Sequence, residues 1–421
     1  PPCLLCTRAA LYALYPATNA MTEAILVLNA GSSSIKFALY PVSPKDRNPF
    51  IRGKIEGIGR APKFHAMNVQ GRKMDDGVLD SIDTSSNHGV LTERLLDWLE
   101  QHDEGYEVAA VGHRVVHGGR DFSAPVHIDK GILKELGTLI SLAPLHQPNN
   151  IIPIESLLER DGRMFQVACF DTAFHRTQPR LSELFALPRR YADEGVIRYG
   201  FHGLSYQYIA GVLPEYLGEQ AGARIVVAHL GNGASLCAMR KRKSVATSMG
   251  FTALDGLMMG SRCGAIDPGV VLYLMQERGM TADQIQHLLY NESGLLGVSG
   301  ISNNMQILLE NSSIEAEEAV DLFCYRAANE LAALLVPLKG LDTIVFTAGI
   351  GENSAAIRAQ ICGHLDWLGI EIDVEANIAN SPVISGGKSK IIVLVIPTDE
   401  EGVIAEATRS FLRDDSRRGN S

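Results

Sequence analysis

The chain has 421 residues, of which 46% are apolar and 6% aromatic, so it is long enough for two domains with large aliphatic cores. Its net charge of −10 makes duplex nucleic acid and anionic membranes poor partners. No apolar run reaches the length of about eighteen residues that a membrane span needs. The seven cysteines are scattered, which is typical of free thiols in a reducing cytosol rather than of a disulfide framework.

Residues 1–20 are mostly apolar and precede Met21, after which a strand pattern starts at once. They lack the basic stretch that opens a secretory signal, so secretion is not expected. We interpret 1–20 as a non-native or disordered leader. Cys3 and Cys6 have C-x-x-C spacing there, but no second pair or histidine cluster completes a metal site.

Strands and turns dominate the next part of the chain. Residues 24–29 and 35–40 are two apolar runs around a turn of glycine and serines, which predicts a β-hairpin. Residues 42–90 are mixed and polar, and the pattern assigns no elements there. Leucine spacing predicts a helix over 91–102, and 108–119 reads as a buried strand that enters a loop with two glycines.

Strands and helices alternate through the remainder, which favours an α/β fold. In chain order, the predicted elements are a strand at 165–171, a loop at 199–203, a helix at 204–217, a strand–turn–strand unit at 224–239, a helix at 315–338, a strand, turn and helix start at 343–354, a strand with an acidic end at 391–401 and a last helix from about 402. The apolar residues of 315–338 fall on one face, so we expect that helix in a core or a dimer interface.

One pattern occurs twice in the sequence. An apolar strand, a turn of glycine with serine or asparagine, and a second strand are found at 24–40 and at 224–239. Small residues let backbone N–H groups approach phosphate oxygens, and a third such turn follows a strand at 349–354. No G-x-x-x-x-G-K-[ST] is present, which excludes a P-loop enzyme. We therefore predict a duplicated domain with one phosphate-binding hairpin in each copy.

Several segments together resemble the acetate kinase family, a group of short-chain carboxylate kinases in the actin-like ATPase and sugar kinase superfamily. They are LNAGSSSIKF (28–37), HRVVHGG, APLHQPNN, FDTAFH, YGFHGLSY, VVAHLGNGASLCA (226–238), SMGFTALDGLMMGSRCG, FTAGIGENS and IPTDEE. The resemblance implies a homodimer of chains with two actin-like (ribonuclease H-like) α/β domains and a catalytic cleft between them. We expect one domain to comprise 21–171 plus 402–421, and the nucleotide-binding domain to comprise 172–401.

The reaction that the resemblance implies is reversible transfer of the γ-phosphoryl group of ATP to acetate, giving acetyl phosphate and ADP. A carboxylate is already ionised at neutral pH, because carboxyl pKa values lie near about 4, so no general base is needed to create the nucleophile. Cations must instead screen two anions from each other, and positioning and electrostatic stabilisation carry the catalysis.

The resemblance also assigns roles to charged residues. Arg114 corresponds to the arginine that binds the substrate carboxylate, which a planar guanidinium can grip through both oxygens. Arg262 and His202 correspond to the pair that stabilises the transferred phosphoryl group, and His146 lies in a motif near its path. Asp171 corresponds to the catalytic acid/base. Because no base is needed, we expect Asp171 to orient His202 or a metal-bound water.

Small apolar groups line the family's acyl pocket. Val116, Leu145 and Phe201 match them, but Ala253 stands where the family usually has proline. The loss of ring carbons should admit one more methylene, which is worth only about 1–3 kcal/mol in discrimination. We therefore expect propionate to be used, though less well than acetate.

The resemblance places ATP and its metal as well. Asn29 and Glu400 correspond to positions that hold Mg²⁺ or Mn²⁺, for which carboxylate, amide and phosphate oxygens are ordinary ligands. The corresponding nucleotide positions are Lys36, His229, Leu230, Gly231, Asn232, Gly233, Asn304, Met305, Gln306, Gly349, Ile350, Gly351, Glu352 and Asn353. The family usually carries Asp-x-Arg at 304–306, so nucleotide affinity or base preference should differ here. A second departure is Ala265, where the family has aspartate.

Three alternatives stay open. The first is another short-chain carboxylate kinase, for propionate or butyrate. The second is a non-catalytic nucleotide-binding protein, which only the changes at 304–306 favour. The third is a sugar kinase, which needs a base for a hydroxyl group and gives no reason for the pair Arg114 and Arg262.

Overall fold

The structure, a computed structural model, describes residues 21–43, 48–74, 86–101 and 105–419. Two β-sheets with helices packed around them make up this part of the chain, which confirms the predicted α/β fold. The predicted leader at 1–20, with its C-x-x-C pair, lies outside the described residues.

Both sheets repeat one strand arrangement. The first contains β1 (Thr22–Ala30), β2 (Ser34–Pro41), β3 (Ile51–Glu56), β4 (Lys63–Asn68), β5 (Tyr106–Val115), β6 (Val126–His127) and β7 (Phe165–Phe170), in the order β4-β3-β2-β1-β5-β7-β6. The second contains β8 (Ile225–Leu230), β9 (Ala234–Arg240), β10 (Lys243–Thr247), β11 (Thr343–Thr347) and β12 (Ile392–Val395), in the order β10-β9-β8-β11-β12. Each sheet joins an antiparallel meander, of four strands in the first sheet and three in the second, to two parallel strands, as a duplicated domain would.

Helices cover both sheets. They are α1 (His88–Gln101), α2 (Lys130–Thr138), α3 (Gln147–Arg160), α4 (Arg180–Glu183), α5 (Arg189–Asp193), α6 (Gly203–Leu217), α7 (Pro268–Gln276), α8 (Ala282–Asn291), α9 (Gly294–Ser299), α10 (Met305–Leu309), α11 (Ile314–Leu338), α12 (Ala348–Asn353), α13 (Ala355–Gly363), α14 (Val374–Ile378) and α15 (Glu400–Gly419). Short 3₁₀ helices occupy Leu139–Leu142, Ala173–Thr177, Gly218–Gly222 and Asp366–Leu368. In the described part of the chain, none of the helices has both the length and the hydrophobicity to cross a bilayer.

Most predicted elements are confirmed, with changes at their ends. Residues 42–90 contain β3, β4 and the start of α1, and α1 itself matches the helix predicted at 91–102 within the described residues. The predicted turn after β11 is absent, since α12 follows the strand directly. The last helix begins at Glu400 rather than at about 402, because Oδ1 of Asp399 accepts the N–H of Gly402 at 3.2 Å and caps the first turn.

The apolar face of α11 packs in a core, as its spacing predicts. Phe323, Leu331 and Leu338 on this helix are buried together with strands of the second sheet. The helix α15 packs instead on the first sheet, where Ile404 lies in a cluster with Val27. The chain thus returns to its first sheet after completing the second, and this return brings the start of α15 close to the ends of both sheets.

Candidate active site

The main polar cavity lies where the strand ends of the two sheets face each other, and its volume is about 520 Å³. Residues at or after the ends of β1, β5, β8 and β11 reach it. Its lining consists of Asn29, Gly31, Ser34, Lys36, Arg114, His202, His229, Gly231, Asn232, Gly233, Ala348, Gly349, Glu352, Thr398, Glu400 and Glu401. Residues predicted to bind metal, phosphate and carboxylate therefore share one cavity.

Arg114 and Asp171 form a buried ion pair beside this cavity. Nε and Nη2 of Arg114 donate to Oδ2 of Asp171 at 3.0 and 2.5 Å, and Nη1 donates to Oδ1 of Asn29 at 3.0 Å. Burial alone would lower the pKa of Arg114, but the carboxylates of Asp171 and Glu400 raise it above its ordinary value. Arg114 is therefore charged, and Asp171 fixes the plane of its guanidinium.

Arg262 reaches the same region from the loop after β10. A Cβ built on Gly233 would lie 3.3 Å from Nε2 of His202 and 3.9 Å from Nη1 of Arg262, so the glycine turn, the imidazole and the guanidinium converge. Nη1 of Arg262 also donates to the carbonyl oxygen of Ala253 at 2.9 Å. In the described part of the chain no carboxylate pairs with Arg262, and burial lowers its pKa. Arg262 is thus a half-buried cation without a carboxylate partner among those residues, and it can bind an anion.

His202 occupies a strained backbone position at the start of α6. Its φ is +57°, in the left-handed region that non-glycine residues seldom adopt. Nδ1 hydrogen-bonds Oγ of Ser235 at 2.8 Å, and the ring stacks on His229 at a centroid distance of 4.2 Å. Burial and the nearby charges hold the pKa of His202 well below its ordinary value, so the imidazole is neutral at pH 7.

Of the two expected roles of Asp171, direct orientation of His202 is not found in the structure, and orientation of a metal-bound water stays a prediction. The oxygen of Asp171 that makes hydrogen bonds faces Arg114, whereas the partner of His202 is Ser235, a residue that the motif analysis did not single out. Ser235 is held in turn by the hydroxyl of Tyr206 at 2.5 Å. A serine directly after a glycine turn carries no distinctive signal, and only the pairing of β8 with β9 places it under His202.

His146 lies within the electrostatic reach of both arginines. It precedes α3, and its pKa is lowered to about 4 by burial and then by the charges of Arg262 and Arg114. Both arginines that were predicted to bind the substrates therefore lie close enough to His146 to lower its pKa. The two guanidiniums and the neutral imidazole thus surround one region.

Three of the predicted acyl-pocket positions pack together. Val116 and Phe201 are buried in one apolar cluster, and Ala253 packs against it. Leu145 is 38% exposed and is not part of that cluster. Nη1 of Arg262 donates to the carbonyl oxygen of Ala253, so a hydrogen bond joins this apolar cluster to the guanidinium that has no carboxylate partner in the described ranges.

Two amide side chains that the sequence reasoning missed support the loop after β5. Asn150 accepts the N–H of Val116 at 2.9 Å and donates to the carbonyl of Ala30 at 2.6 Å. Gln147 accepts the N–H of His117 at 3.1 Å and donates to its carbonyl at 3.0 Å. Both are buried in the first turn of α3, and their place within APLHQPNN was the only signal in the sequence.

A second cavity, of about 810 Å³, adjoins the first and shares Asn232 and Gly349 with it. Its lining consists of Asn232, Asn303, Asn304, Met305, Gln306, Leu309, Gly349, Ile350, Asn353 and Ser354. None of these residues is charged, and five of them carry amide side chains. The cavity thus offers hydrogen-bond donors and acceptors without a fixed charge, which suits an uncharged ligand with polar edges.

The segment 304–306 uses its amides partly for local structure. Oδ1 of Asn304 caps α10 by accepting the N–H of Gln306 at 2.9 Å, and Gln306 donates to Glu310 at 3.0 Å. Met305 is buried in the core of the second sheet. A ligand in this cavity would therefore meet the remaining amide hydrogens of Asn304 and the carbonyl oxygen of Gln306.

Two of the predicted nucleotide positions have structural partners. Oε1 of Glu352 accepts the N–H groups of Ala348 at 2.8 Å and of Thr398 at 3.1 Å, so this carboxylate ties α12 to the segment before α15. Leu230 is fully buried in the core, so only its backbone faces the glycine turn.

The oxygen groups near Arg114 suit a divalent metal. Asn29 and Glu400 line the cavity, and Oδ1 of Asp171 is buried with no partner among the described residues. Carboxylate and amide oxygens are the ligands that Mg²⁺ and Mn²⁺ prefer. The described residues contain no cluster of three or more His, Cys, Asp or Glu that would hold a metal alone, so substrate oxygens or water would complete the coordination.

Comparisons with known proteins show which family the chain resembles over its length. Residues 24–406 match the sequence profile of the acetokinase family. The chain is 50% identical over 398 residues to an acetate kinase of Methylocella silvestris, covering 93% of this chain and 98% of that protein. It is also 50% identical over 390 residues to an acetate kinase of Rhodopseudomonas palustris, strain TIE-1, covering 91% and 97%.

Solved structures give the same picture of the fold. An acetate kinase of Porphyromonas gingivalis superposes with a TM-score of 0.82 at 36% identity, covering 93% of this chain and 100% of that one. A propionate kinase of Francisella tularensis superposes with a TM-score of 0.84 at 37% identity, covering 92% and 99%. The two-sheet architecture is therefore the actin-like one found in those kinases.

Proposed function

The chain belongs to the acetokinase family, and from this premise we propose that it transfers the γ-phosphoryl group of ATP to acetate, giving acetyl phosphate and ADP. The single observation that supports this most strongly is the meeting of Arg114, His202 and Arg262 around one glycine turn. A reaction between two anions needs such a group of donors more than it needs a base.

The substrate carboxylate is proposed to bind beside Arg114, with its methyl group against Val116 and Phe201. Asp171 neutralises Arg114 in part, so this guanidinium serves orientation through its remaining N–H groups. Arg262 has no carboxylate partner within the described part of the chain, and its positive charge would attract the phosphoryl group during transfer. His202 is neutral and donates or accepts a hydrogen bond at the phosphoryl oxygens without adding charge.

ATP is proposed to span the two cavities. The base and ribose would occupy the amide-lined cavity at 304–306, and the phosphates would lie along the backbone N–H groups of 231–233 with Lys36 nearby. Asn29 and Glu400 would hold Mg²⁺ or Mn²⁺, which supplies positive charge to the phosphate oxygens. The chain's own residues would orient both substrates and exclude water between the sheets.

A homodimer is proposed as the working form. None of the nine residues of α7 is buried, although the helix carries Val270, Leu272, Tyr273 and Met275, of which Leu272 is 54% exposed. An uncovered apolar helix of this kind is typical of a subunit interface. Light scattering of the wild type and of Leu272→Glu tests this, and a monomeric wild type would contradict it.

We also propose a division into two domains and a cytoplasmic location. We propose that 21–171 with 402–421 forms one domain and 172–401 the other, since α15 packs on the first sheet. The described cysteines, among them Cys169 and Cys324, are all free, which supports a reducing cytosol.

A second candidate is a propionate kinase, which Ala253 favours because its short side chain leaves space in the apolar cluster. The test is ATP-dependent acyl phosphate formation, trapped with hydroxylamine, on acetate, propionate and butyrate. We expect acetate to have the highest kcat/KM. A higher value for propionate would make the second candidate the correct one, and nucleotide binding without any acyl phosphate would indicate a non-catalytic protein.

A further inference from the structure

Arg358, in α13, is a fully buried arginine beneath the nucleotide cavity. Its guanidinium donates to five neutral acceptors. These are the carbonyls of Gly351 and Glu352 at 2.8 and 2.9 Å, Oδ1 and the carbonyl of Asn377 at 2.8 and 2.7 Å, and Oδ1 of Asn380 at 2.6 Å. All donors of the guanidinium fork are thereby used to join α12 to the segment at 377–380.

The charge of Arg358 has no counterion in the described part of the chain, because each acceptor is a carbonyl or an amide oxygen. Burying a charge without a counterion lowers the stability of the fold. An arginine with a purely structural role would lower it less if a carboxylate were paired with it. Arg409 shows this alternative: it is equally buried and donates to the carbonyls of Val42 and Pro41, but it also pairs with Glu406. The presence at Arg358 of a buried charge without a counterion among the described residues therefore indicates a role beyond structural support.

The segment that Arg358 holds indicates what that role is. Gly349 lines both cavities, and Ala348 before it has a φ of +65°, so α12 starts from a strained residue. Glu352 grips the start of α12 through the N–H of Ala348, and Arg358 grips its end through two carbonyls. Because Glu352 and Arg358 hold the two ends of α12, they fix the backbone of 348–353 where it borders both cavities.

We propose that Arg358 is a positioning residue for the nucleotide: it fixes 348–353 in the shape that receives the phosphates and ribose, and it directs an uncompensated positive charge at them from below. The inference rests on the proposed function, because it assumes that the adjoining cavities hold ATP. The proposed acetate site, beside Arg114 and the apolar pair Val116 and Phe201, contains no residue that Arg358 contacts, so acetate binding should not depend on Arg358.

The test compares Arg358→Lys and Arg358→Met with the control variants Arg409→Lys and Arg409→Met. The measurements are the Kd of a fluorescent ADP analogue in the absence of acetate, the KM values for ATP and acetate, and the melting temperature. For both Arg358 variants we expect ADP affinity to fall by about tenfold or more and KM for ATP to rise in parallel, with KM for acetate within about twofold of wild type. Lysine keeps the charge but cannot bridge acceptors on opposite sides.

The control variants are expected to lower the melting temperature without changing ADP affinity. If Arg358→Met does not fold, Arg358→Lys decides the question. Unchanged ADP affinity in folded Arg358→Lys, or an equal rise in both KM values, would overturn the proposal. ADP binding is measured without acetate, so a wild type that binds ADP but makes no acetyl phosphate would contradict the proposed function and leave the role of Arg358 to be judged from binding.

Discussion

Asp171 holds Arg114 through one oxygen only: Oδ2 accepts from both Nε and Nη2, while Oδ1 is buried with no partner among the described residues. The pair therefore combines a fixed cation with a free carboxylate oxygen. In the proposed reaction, which requires no base, the charge of Asp171 would serve to keep Arg114 in place.

We expect Asp171→Asn to lower kcat/KM for acetate by at least about a hundredfold. The amide removes the charge that balances Arg114 and fixes the plane of its guanidinium, and a hundredfold loss corresponds to about 2.7 kcal/mol of transition-state stabilisation. Steady-state kinetics at saturating ATP measures this effect. Turnover within about threefold of wild type would show that the charge of Asp171 is dispensable.

The matched control is Asp342→Asn. Asp342 also pairs with an arginine, Arg224, but it lies between the starts of β8 and β11, at the opposite ends of those strands from the cavity. This variant should lose some stability and keep its kcat. A similar loss of kcat in both variants would mean that the effect of Asp171→Asn reflects general destabilisation.

The glycine turn after β8 gives a second prediction, at Gly233. A methyl group there would lie 3.3 Å from Nε2 of His202, so the imidazole or the turn must move by a few tenths of an ångström. We expect Gly233→Ala to lower kcat by about tenfold to a hundredfold, because small misplacements of catalytic groups are costly. Gly211→Ala in α6, where nothing lies within 4 Å of the new methyl group, should leave kcat unchanged.

The sequence predicted the parts of this site that local pattern encodes. The strand–turn–strand units at 24–40 and 224–239 were found because apolar runs and glycine turns are adjacent in the chain. The strands β3 and β4 were missed because their outward residues, such as Lys54 and His65, are polar and the alternation of apolar and polar residues is weak. Strands at the edge of a sheet that bury only one face have a weaker hydrophobic pattern in the sequence than strands buried on both faces.

Contacts between distant residues could not be predicted from pattern. Arg114 and Asp171 are 57 positions apart and were each found from motifs, but their hydrogen bonds depend on the parallel pairing of β5 with β7. The same holds for Ser235 under His202, 33 positions away. Such partners are set by strand register, which a single sequence does not display.

The acyl pocket gives a third prediction. Ala253→Pro should lower kcat/KM for propionate by about tenfold relative to acetate, because added ring carbons fill the space that one methylene needs. The ratio of the two kcat/KM values, measured by hydroxylamine trapping, reports this directly. The wild-type ratio should already favour acetate, and an unchanged ratio in Ala253→Pro would place the acyl group elsewhere.

Buried neutral histidines give the last prediction, which concerns stability and pH. Burial lowers the pKa of His113 and His175 to about 4, against an ordinary value of about 6.5. Above the ordinary value both rings are neutral in either state, so their contribution to stability is full. As the pH falls from about 6.5 to about 4, the unfolded chain binds protons that the folded chain refuses, and the free energy of unfolding drops by about 1.4 kcal/mol per pH unit for each histidine.

Urea unfolding midpoints at pH 7.5, 6.0 and 5.0 test this, with His175→Gln as the diagnostic variant and His127→Gln, whose ring is exposed, as its control. The hydrogen bonds of His175 to Ser244 and to the carbonyl of Phe201 are compatible with a neutral ring, so its loss should make the pH slope shallower even though the variant is less stable at pH 7.5. The control should retain the wild-type slope. Equal dependence of stability on pH in all three proteins would mean that His175 binds a proton as readily in the folded chain as in the unfolded one. The complete burial of its ring argues against this.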